Sequence, residues 1–498
     1  MNEKDQNLTP QEKIKALLNV SESTAIEDAL KALKAGRKGD LPKVEEITKQ
    51  LDPEKHSVMD TNIRKDKAVK ADEGERADAG TRKVMHNGKE KDIQMKWEKV
   101  SRKPLPYQPL IVSRAVAFFF GFPVNYFFNS EDKNQQLVFD ALERILHDNK
   151  EKYFNRGIAR ELFSYTEVAE LWFPVDTGTE HELYGFKTKF KLRVIPLKPS
   201  EGMKLYPFFD ESGDMIAFSR HYIRKENDED VEYFETYTDE SIYKFKKIEN
   251  WEPMEGFPTQ NIIRKIPIAY AQQPETEWNI VQRIIESDEE LGSNFSDTNK
   301  YHSSPTIAIK GKVLGFAKKG EAGKVIEMGA DSDAKYLEWS NASESVSTEH
   351  KMNREAIFEF TQTPDISAHI SSGIGNIGVA AQKMLFFDAH LKVMNKEEIL
   401  GEYLQRRVNI IKAFIANFNI QLKDAAAASI ISPEITPYMM GDQQETVANV
   451  STAVSGGFMS RKTAIKEAGY VTDPDQELAD IMEEEKAAQT LNMFPPAQ

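Results

Sequence analysis

The chain has 498 residues, 40% apolar and 29% charged, with a formal net charge of −15 and no cysteine. That length allows a large core over about two to four domains, and the missing cysteines exclude disulfides, thiolate metal sites and cysteine catalysis while suiting a reducing cytoplasm. The acidic balance argues against tight duplex DNA binding, which draws its affinity from Lys and Arg neutralising phosphate, but not against a pore through which DNA slides.

The start, MNEKDQNLTPQEK, is polar and has no apolar core behind a basic region, so no signal peptide is expected. The longest apolar run, Ala115 to Val124, falls short of the ~20 residues that span a bilayer, and a soluble chain is expected. Helical spacing of Leu and Ile marks Pro10 to Leu18 and Thr24 to Ala35. Lys65 to Glu90 has little to bury and reads as mobile or as an arm, and residues 1–104 are expected to form a charged, solvated N-terminal extension.

From Pro104 the texture changes. Leu110 to Phe128 reads as a buried helix that Gly121 and Pro123 end, followed by a strand. Gln135 to Asn149 has apolar residues three and four apart, an amphipathic helix. The runs KTKFKLRVIPL, DMIAFSRHYIRK and EDVEYFETYTDESIYKFKK alternate polar with aromatic or β-branched residues, an antiparallel β region lasting to about Tyr270. Pro274 opens a long acidic helix from Glu275 to about Ser304, and short Gly/Lys-rich β pieces come next. A second helix is expected from about Ser343 to Phe360. After a Gly/Ser/Pro loop comes a very long one, Val379 to about Phe418, roughly 60 Å at 1.5 Å per residue. The tail, Ser460 to Lys486, reads as helical, and no internal repeat is visible.

Little of this suggests catalysis. Gly373-Ile-Gly375-Asn-Ile-Gly378 has the GxGxxG form, but a dinucleotide site needs a buried strand before it. Here TQTPDISAHISS precedes it, and Asp388 and Glu397, at the distance of the ribose acid, lie inside the long helix. A flexible glycine loop accounts for it better. The nine histidines form no HxH or HxxxH pair, and no Walker lysine motif or GxSxG elbow occurs. Glu286, Asp288, Glu289 and Glu290 point around much of their helix, which suits a solvated acidic face rather than metal ligands or an acid/base pair. No catalytic, metal or cofactor set remains, and the chain reads as a non-enzyme.

The order of the segments resembles the portal proteins of tailed bacteriophages, in the large family typical of phages of Gram-positive and related hosts. Ile266 to Gly311 is similar to that family's most typical stretch, a Pro-containing strand, a helix with an Ile-Asp…Ser-Asp pattern, and a strand ending Lys-Gly. Ile285, Asp288, Ser293, Asn294, Asp297 and Ile309-Lys310-Gly311 hold those positions. Thr363-Pro364-Asp365, Ser372-Gly373 and the helix from Val379 match the family's next elements, a Thr-x-Pro-Asp-like sequence, a Ser-Gly loop and a long helix. Upstream, Arg114 to Phe127, Ser219 to Arg224 and Phe234 to Phe245 resemble the family's outer-domain elements, and Gly456 to Glu485 its closing pattern. The likeness covers about residues 105–485; the N-terminal hundred residues and the GxGxxG form of the loop depart from it.

The resemblance implies an α+β subunit that assembles with itself into a ring, usually of about twelve copies. The ring would sit at the capsid portal vertex of the virion after assembly in the host cytoplasm. It would contact major capsid and scaffolding protein, dock the large terminase, pass double-stranded DNA with weak contact, and later bind the head–tail adaptor. No membrane and no cofactor are implied. On this map 105–270 is a mixed α/β wing, 271–304 and 343–361 a two-helix stem, and 305–342 a small α/β clip. Residues 362–378 are a tunnel loop, 379–418 the long wing helix, and 419–498 the wing end and helical crown. Glu286, Asp288, Glu289, Glu290 and Asp297 would wall the tunnel with negative charge, which repels phosphate and lets DNA slide. Pro364, Asp365, Ile366, His369, Ile370 and Gly373 would form the constriction; the alternative is a loop that joins two helices outside the channel. Lys310, Lys312, Lys318, Lys319 and Lys324 would meet partners in the clip, where a solvated lysine-rich hairpin explains the charge equally well. A head structural or adaptor protein without a channel is the other expectation.

Overall fold

The computed structural model describes residues 9–19, 23–36, 39–71, 76–86, 89–302, 306–310, 313–315, 327–328, 333–337, 342–365, 386–438, 443–471 and 473–493. These fall into a large unit, Met1–Asp365 with Asp388–Pro437, and a small one, Ile366–Phe387 with Tyr438–Gln498.

Thr9 opens helix α1 (Pro10–Leu18) with a capping box to Glu12, and α2 (Ser23–Ala35) and α3 (Val44–Leu51) come after it. Strands β1 (Lys67–Lys70), β2 (Thr81–His86) and β3 (Lys89–Glu98) make a three-stranded antiparallel sheet with β3 in the middle. The expectation of a solvated extension is overturned for α1 and α2, while β1 and the described part of β2 are exposed at nearly every position, in keeping with a segment that has little to bury. The Leu and Ile stripes of α1 and α2 are buried against a large sheet more than 180 residues further along the chain. Ile14, Leu18, Ile26, Leu30 and Leu33 share one core with Phe234, Tyr243, Phe245 and Trp251. Gly36, at the end of α2, is required there, because a Cβ would stand 1.9 Å from the Phe208 ring.

Helix α4 (Tyr107–Phe120) is apolar nearly all round and buried, as its sequence requires, and β4 (Asn125–Phe128) succeeds it. Amphipathic α5 (Lys133–Asp148) leads to α6 (Glu151–Tyr165), which packs Phe163 against Phe119 of α4. Strands β5 (Glu167–His181), β6 (Thr188–Leu197), β7 (Lys204–Phe209), β8 (Met215–Glu226), β9 (Glu229–Tyr237), β10 (Ser241–Lys247), β11 (Trp251–Pro253), β12 (Thr259–Gln260) and β13 (Ile268–Gln272) form two antiparallel sheets. The larger runs β11-β10-β9-β8-β7 with β12 beside β10; the smaller runs β13-β5-β6. Strand periodicity gives the larger sheet two buried faces. Phe234, Tyr243 and Phe245 face α1 and α2, while Phe218 and Tyr237 meet Ala169, Leu171, Leu197 and Ile268 of the smaller sheet.

Beyond β13 come α7 (Gln282–His302), β14 (Thr306–Lys310), β15 (Val313–Gly315), β16 (Glu327–Met328), β17 (Asp333–Leu337), α8 (Ala342–Phe360) and α9 (Phe387–Phe418). The expected helix start at Glu275 is early by a few residues, since a single 3₁₀ turn, Asn279–Val281, precedes α7. Of the helix expected from Val379, residues 379–385 lie outside the described residues. Helix α10 (Lys423–Ala428) and β18 (Ile431–Glu434), paired with β4, complete the large unit. In the small unit the tail is three helices, α11 (Gln443–Ser455), α12 (Arg461–Ala468) and α13 (Pro474–Met493). Gly469 at φ 70° ends α12, and the pairs Arg461–Glu485 and Lys462–Asp475, both 2.6 Å, tie α12 to α13.

Two buried charge networks fix the large unit. Arg407 of α9 grips Glu170 of β5 in a fork (Nε–Oε1 2.8 Å, Nη2–Oε2 2.7 Å). The Tyr403 hydroxyl and the Trp172 indole donate to the same carboxylate, and Arg407 also donates to Asn155 at 2.6 Å. Both carboxylate oxygens of Glu170 are thus satisfied, which makes burial of the pair tolerable. On the larger sheet Glu235 takes both Nε and Nη2 of Arg220, the Lys244 ammonium and the Tyr222 and Tyr237 hydroxyls. Burial alone would raise its pKa; Arg220, Lys244 and the two hydroxyls outweigh it and hold the carboxyl at about 2.

Candidate functional site

The expected stem is the helix pair α7 and α8, which brackets residues 303–341. Ile285, Ile357 and Phe358 are buried in this part of the chain. Tyr107 of α4 stands edge-on to Phe358 with centroids 6.0 Å apart, and the Arg114 guanidinium lies 5.0 Å from that ring. His350 of α8 closes on Asp288 of α7, its Nδ1 lying 2.8 and 3.0 Å from the two carboxylate oxygens.

Asp288 is 0% and Glu289 1% exposed, so the expectation of a solvated acidic face, or of a tunnel wall built from them, is corrected for both. The reason is a register match. Glu289, Ser293 and Asp297 are spaced i, i+4, i+8 on one stripe of α7. The backbone N–H groups of Leu105, Lys103 and Ser101 donate to them in turn, at 2.7, 3.0 and 2.6 Å. Four helical residues advance about 6 Å and two extended residues about 6.6 Å, so alternate amides of an extended strand meet successive turns of a helix. Arg64 finishes the stripe, with Nη2 2.8 Å from Asp297 and Nη1 2.8 Å from Asn294. Ser293 and Asp297 of the family-like pattern, together with Glu289, therefore hold residues 101–105 against α7, while Asp288 meets His350. Glu286 and Glu290 are exposed, the part of the expected acidic face that solvent reaches.

His56 adds a buried clasp. Its Nδ1 lies 2.5 Å from Glu289 Oε1 and its Nε2 2.9 Å from the Gln50 carbonyl, so both ring nitrogens face acceptors. Burial pushes its pKa down, but the Glu289 bond and charge, the Gln50 carbonyl and Asp52 outweigh it and leave the imidazolium favoured. In the segment ahead of α7, Glu277 receives Lys392 at 2.7 Å and Lys396 at 2.6 Å from α9, and Lys392 also donates to the Thr361 carbonyl. Burial would raise the Glu277 carboxyl; the two lysines hold it below its usual range.

At the expected constriction, Asp365 is held in a fork by Arg354 (3.0 and 2.9 Å), and the Pro364 carbonyl accepts from Arg114 at 2.6 Å. The negative charge of Asp365 is thus matched by Arg354. Ile366, His369, Ile370 and Gly373 lie outside the described residues. Lys310 is exposed at the end of β14, opposite Asp333 of β17, while Lys312, Lys318, Lys319 and Lys324 lie outside the described residues. His56, Arg64, residues 101–105 and His350 carry no signal in the sequence. Their partners are up to 233 residues away, and nothing local marks them.

Among the described residues no group of three His, Cys, Asp or Glu could hold a metal, and no helix is long and apolar enough to cross a membrane. The elements define an α+β subunit in which paired helices bracket an inserted β segment and are anchored on both flanks. Compared with known proteins, residues 30–491 match the model of the family described as "Phage portal protein, SPP1 Gp6-like", and the chain belongs to that family. The portal protein of Bacillus phage SPP1 is 21% identical over 407 residues, covering 76% of this chain and 75% of that one. Among solved structures, the neck of an empty GTA particle computed with C6 symmetry matches at TM-score 0.39 and 12% identity, over 73% of this chain and 90% of that one. The neck of the native GTA particle computed with C12 symmetry matches at TM-score 0.35 and 12% identity, over 72% and 88%. The family match begins at residue 30, so most of the N-terminal hundred residues lies within it.

Proposed function

We propose that the chain is the repeating subunit of a closed ring, about twelve copies, at the capsid vertex, through which double-stranded DNA is packaged and later ejected. The family match over residues 30–491 carries this reading, and the family's role is structural rather than catalytic. In the ring, 105–270 form the wing, α7 and α8 the stem, 305–342 the clip, 362–378 the tunnel loop and α9 the wing helix. The clip docks the large terminase and then the head–tail adaptor, and the wing meets capsid and scaffolding protein.

The chemistry of α7 fits a sliding surface more sparingly than its composition suggests. Asp288, Glu289 and Asp297 hold the subunit together, which leaves Glu286 and Glu290 as the carboxylates able to face DNA. Repulsion from these, on a chain of net charge −15, keeps phosphate from lodging. Duplex titrated onto the purified assembly at physiological salt is expected to bind at ~10⁻⁴ to 10⁻⁶ M or weaker. Electron micrographs of the purified chain test the ring: class averages with a central hole support it, and compact particles without one overturn it.

A further inference from the structure

Several buried or half-buried cations in the large unit are neutralised by carboxylates. Arg64 has Asp297, Arg220 and Lys244 share Glu235, Lys392 and Lys396 share Glu277, and Arg407 has Glu170. One groove gathers four cations with no carboxylate among its described lining residues. Between the 262–265 loop, the C-terminal half of α9 and α10 lies an open groove of about 630 Å³. Arg264, Lys265, Lys412 and Lys423 line it, and among the described residues no carboxylate does. Lys412 is half-buried, and its ammonium donates to the Ser429 carbonyl. Burial and the neighbouring Lys265 push its pKa below the usual lysine range. The floor is apolar, built from alanines such as Ala413 and Ala426, and Ile262 and Ile420 stand 46% and 72% exposed at its rim.

Three exposed cations, Arg264, Lys265 and Lys423, and the half-buried Lys412 thus stand over an apolar floor whose described lining holds no carboxylate, solvated by water and, for Lys412, by the Ser429 carbonyl. They gain most from an occupant that brings carboxylates and apolar side chains together. A DNA backbone would satisfy the cations and leave the isoleucines wet, so a protein surface fits better. The chain itself carries 80 acidic against 65 basic residues. A ring built from one kind of subunit needs two different complementary patches on each copy. We infer that this groove is the receiving half of the ring contact and takes an acidic, partly apolar surface of the neighbouring copy. The inference rests on the ring reading above and adds to it the surface and the chemistry.

The test mixes ¹⁴N- and ¹⁵N-labelled full-length chains, lets them assemble, and joins amines to carboxylates with a zero-length carbodiimide. Mass spectrometry is expected to find Lys265, Lys412 or Lys423 of one isotope joined to Asp or Glu of the other. In parallel, K265E/K423E changes two lysines of the groove, and an unaltered melting curve checks that the subunit still folds. Its half-assembly concentration is expected to rise by about tenfold or more, the rise growing as salt is lowered. If wild type forms rings while groove lysines give no inter-copy products and the variant assembles like wild type, the inference fails and the ring reading stands. Loss of DNA retention by the variant with unchanged assembly would assign the groove to nucleic acid and likewise overturn it. A wild-type chain that stays monomeric under all conditions overturns both.

Discussion

Replacing Glu235 by Gln removes the charge that Arg220, Lys244, Tyr222 and Tyr237 converge on, and the size of the effect comes from proton linkage. The carboxyl is held at about 2 against an ordinary 4.5, and its side chain is 6% exposed, so solvent screening is slight. At about 1.4 kcal/mol per pKa unit, the ionised form contributes about 3 kcal/mol at neutral pH. Because the folded pKa is depressed, this stability is fully present above pH 4.5 and is lost as pH falls towards 2. Urea unfolding of wild type and Glu235→Gln at pH 7, 4 and 3 should therefore give a gap of about 3 kcal/mol at pH 7, reduced to about half by pH 3. A gap below about 0.5 kcal/mol at pH 7, or one independent of pH, would refute the reasoning.

Arg407→Met strands the buried Glu170 carboxylate and should cost about 3–5 kcal/mol; adding Glu170→Gln should recover part of it in a double-mutant cycle of unfolding free energies. His56→Gln should destabilise most below about pH 6.5. The clasp has a raised folded pKa, so its contribution is full there and fades as pH rises through that value; hydrogen exchange of α7 amides across about pH 5.5–8.5 checks the direction. Deleting Ile366 to Ser371 should leave ring assembly intact and impair DNA packaging or retention. Normal packaging by the deleted ring would make the loop a connector only.

The elements that a local pattern defines were legible in the sequence. Apolar spacing placed α1, α2 and α5 to within a few residues, an apolar run ended by Gly121 and Pro123 placed α4, and alternation of polar with aromatic or β-branched residues placed β6, β8, β9 and β10. Helix α6 was missed because EKYFNRGIARELFSY mixes Asn155 and Gly157 into a weakly apolar stripe, and its start depends on Lys150 adopting φ 54°. The burial of α1 and α2 could not be read locally, since their partners lie in β8 to β11. The acids of α7 were the hardest case. A carboxylate stripe waiting for backbone amides from 190 residues away has the same sequence signature as one facing water. Only the pairing of Glu289, Ser293 and Asp297 with residues 101–105 tells them apart.

Native mass spectrometry of the purified full-length chain tests the central claim most directly. A dominant closed assembly is expected near twelve times the 56.7 kDa of one chain, persisting when the protein is diluted into the low micromolar range. A single species at 56.7 kDa across every salt concentration and pH tried would contradict it.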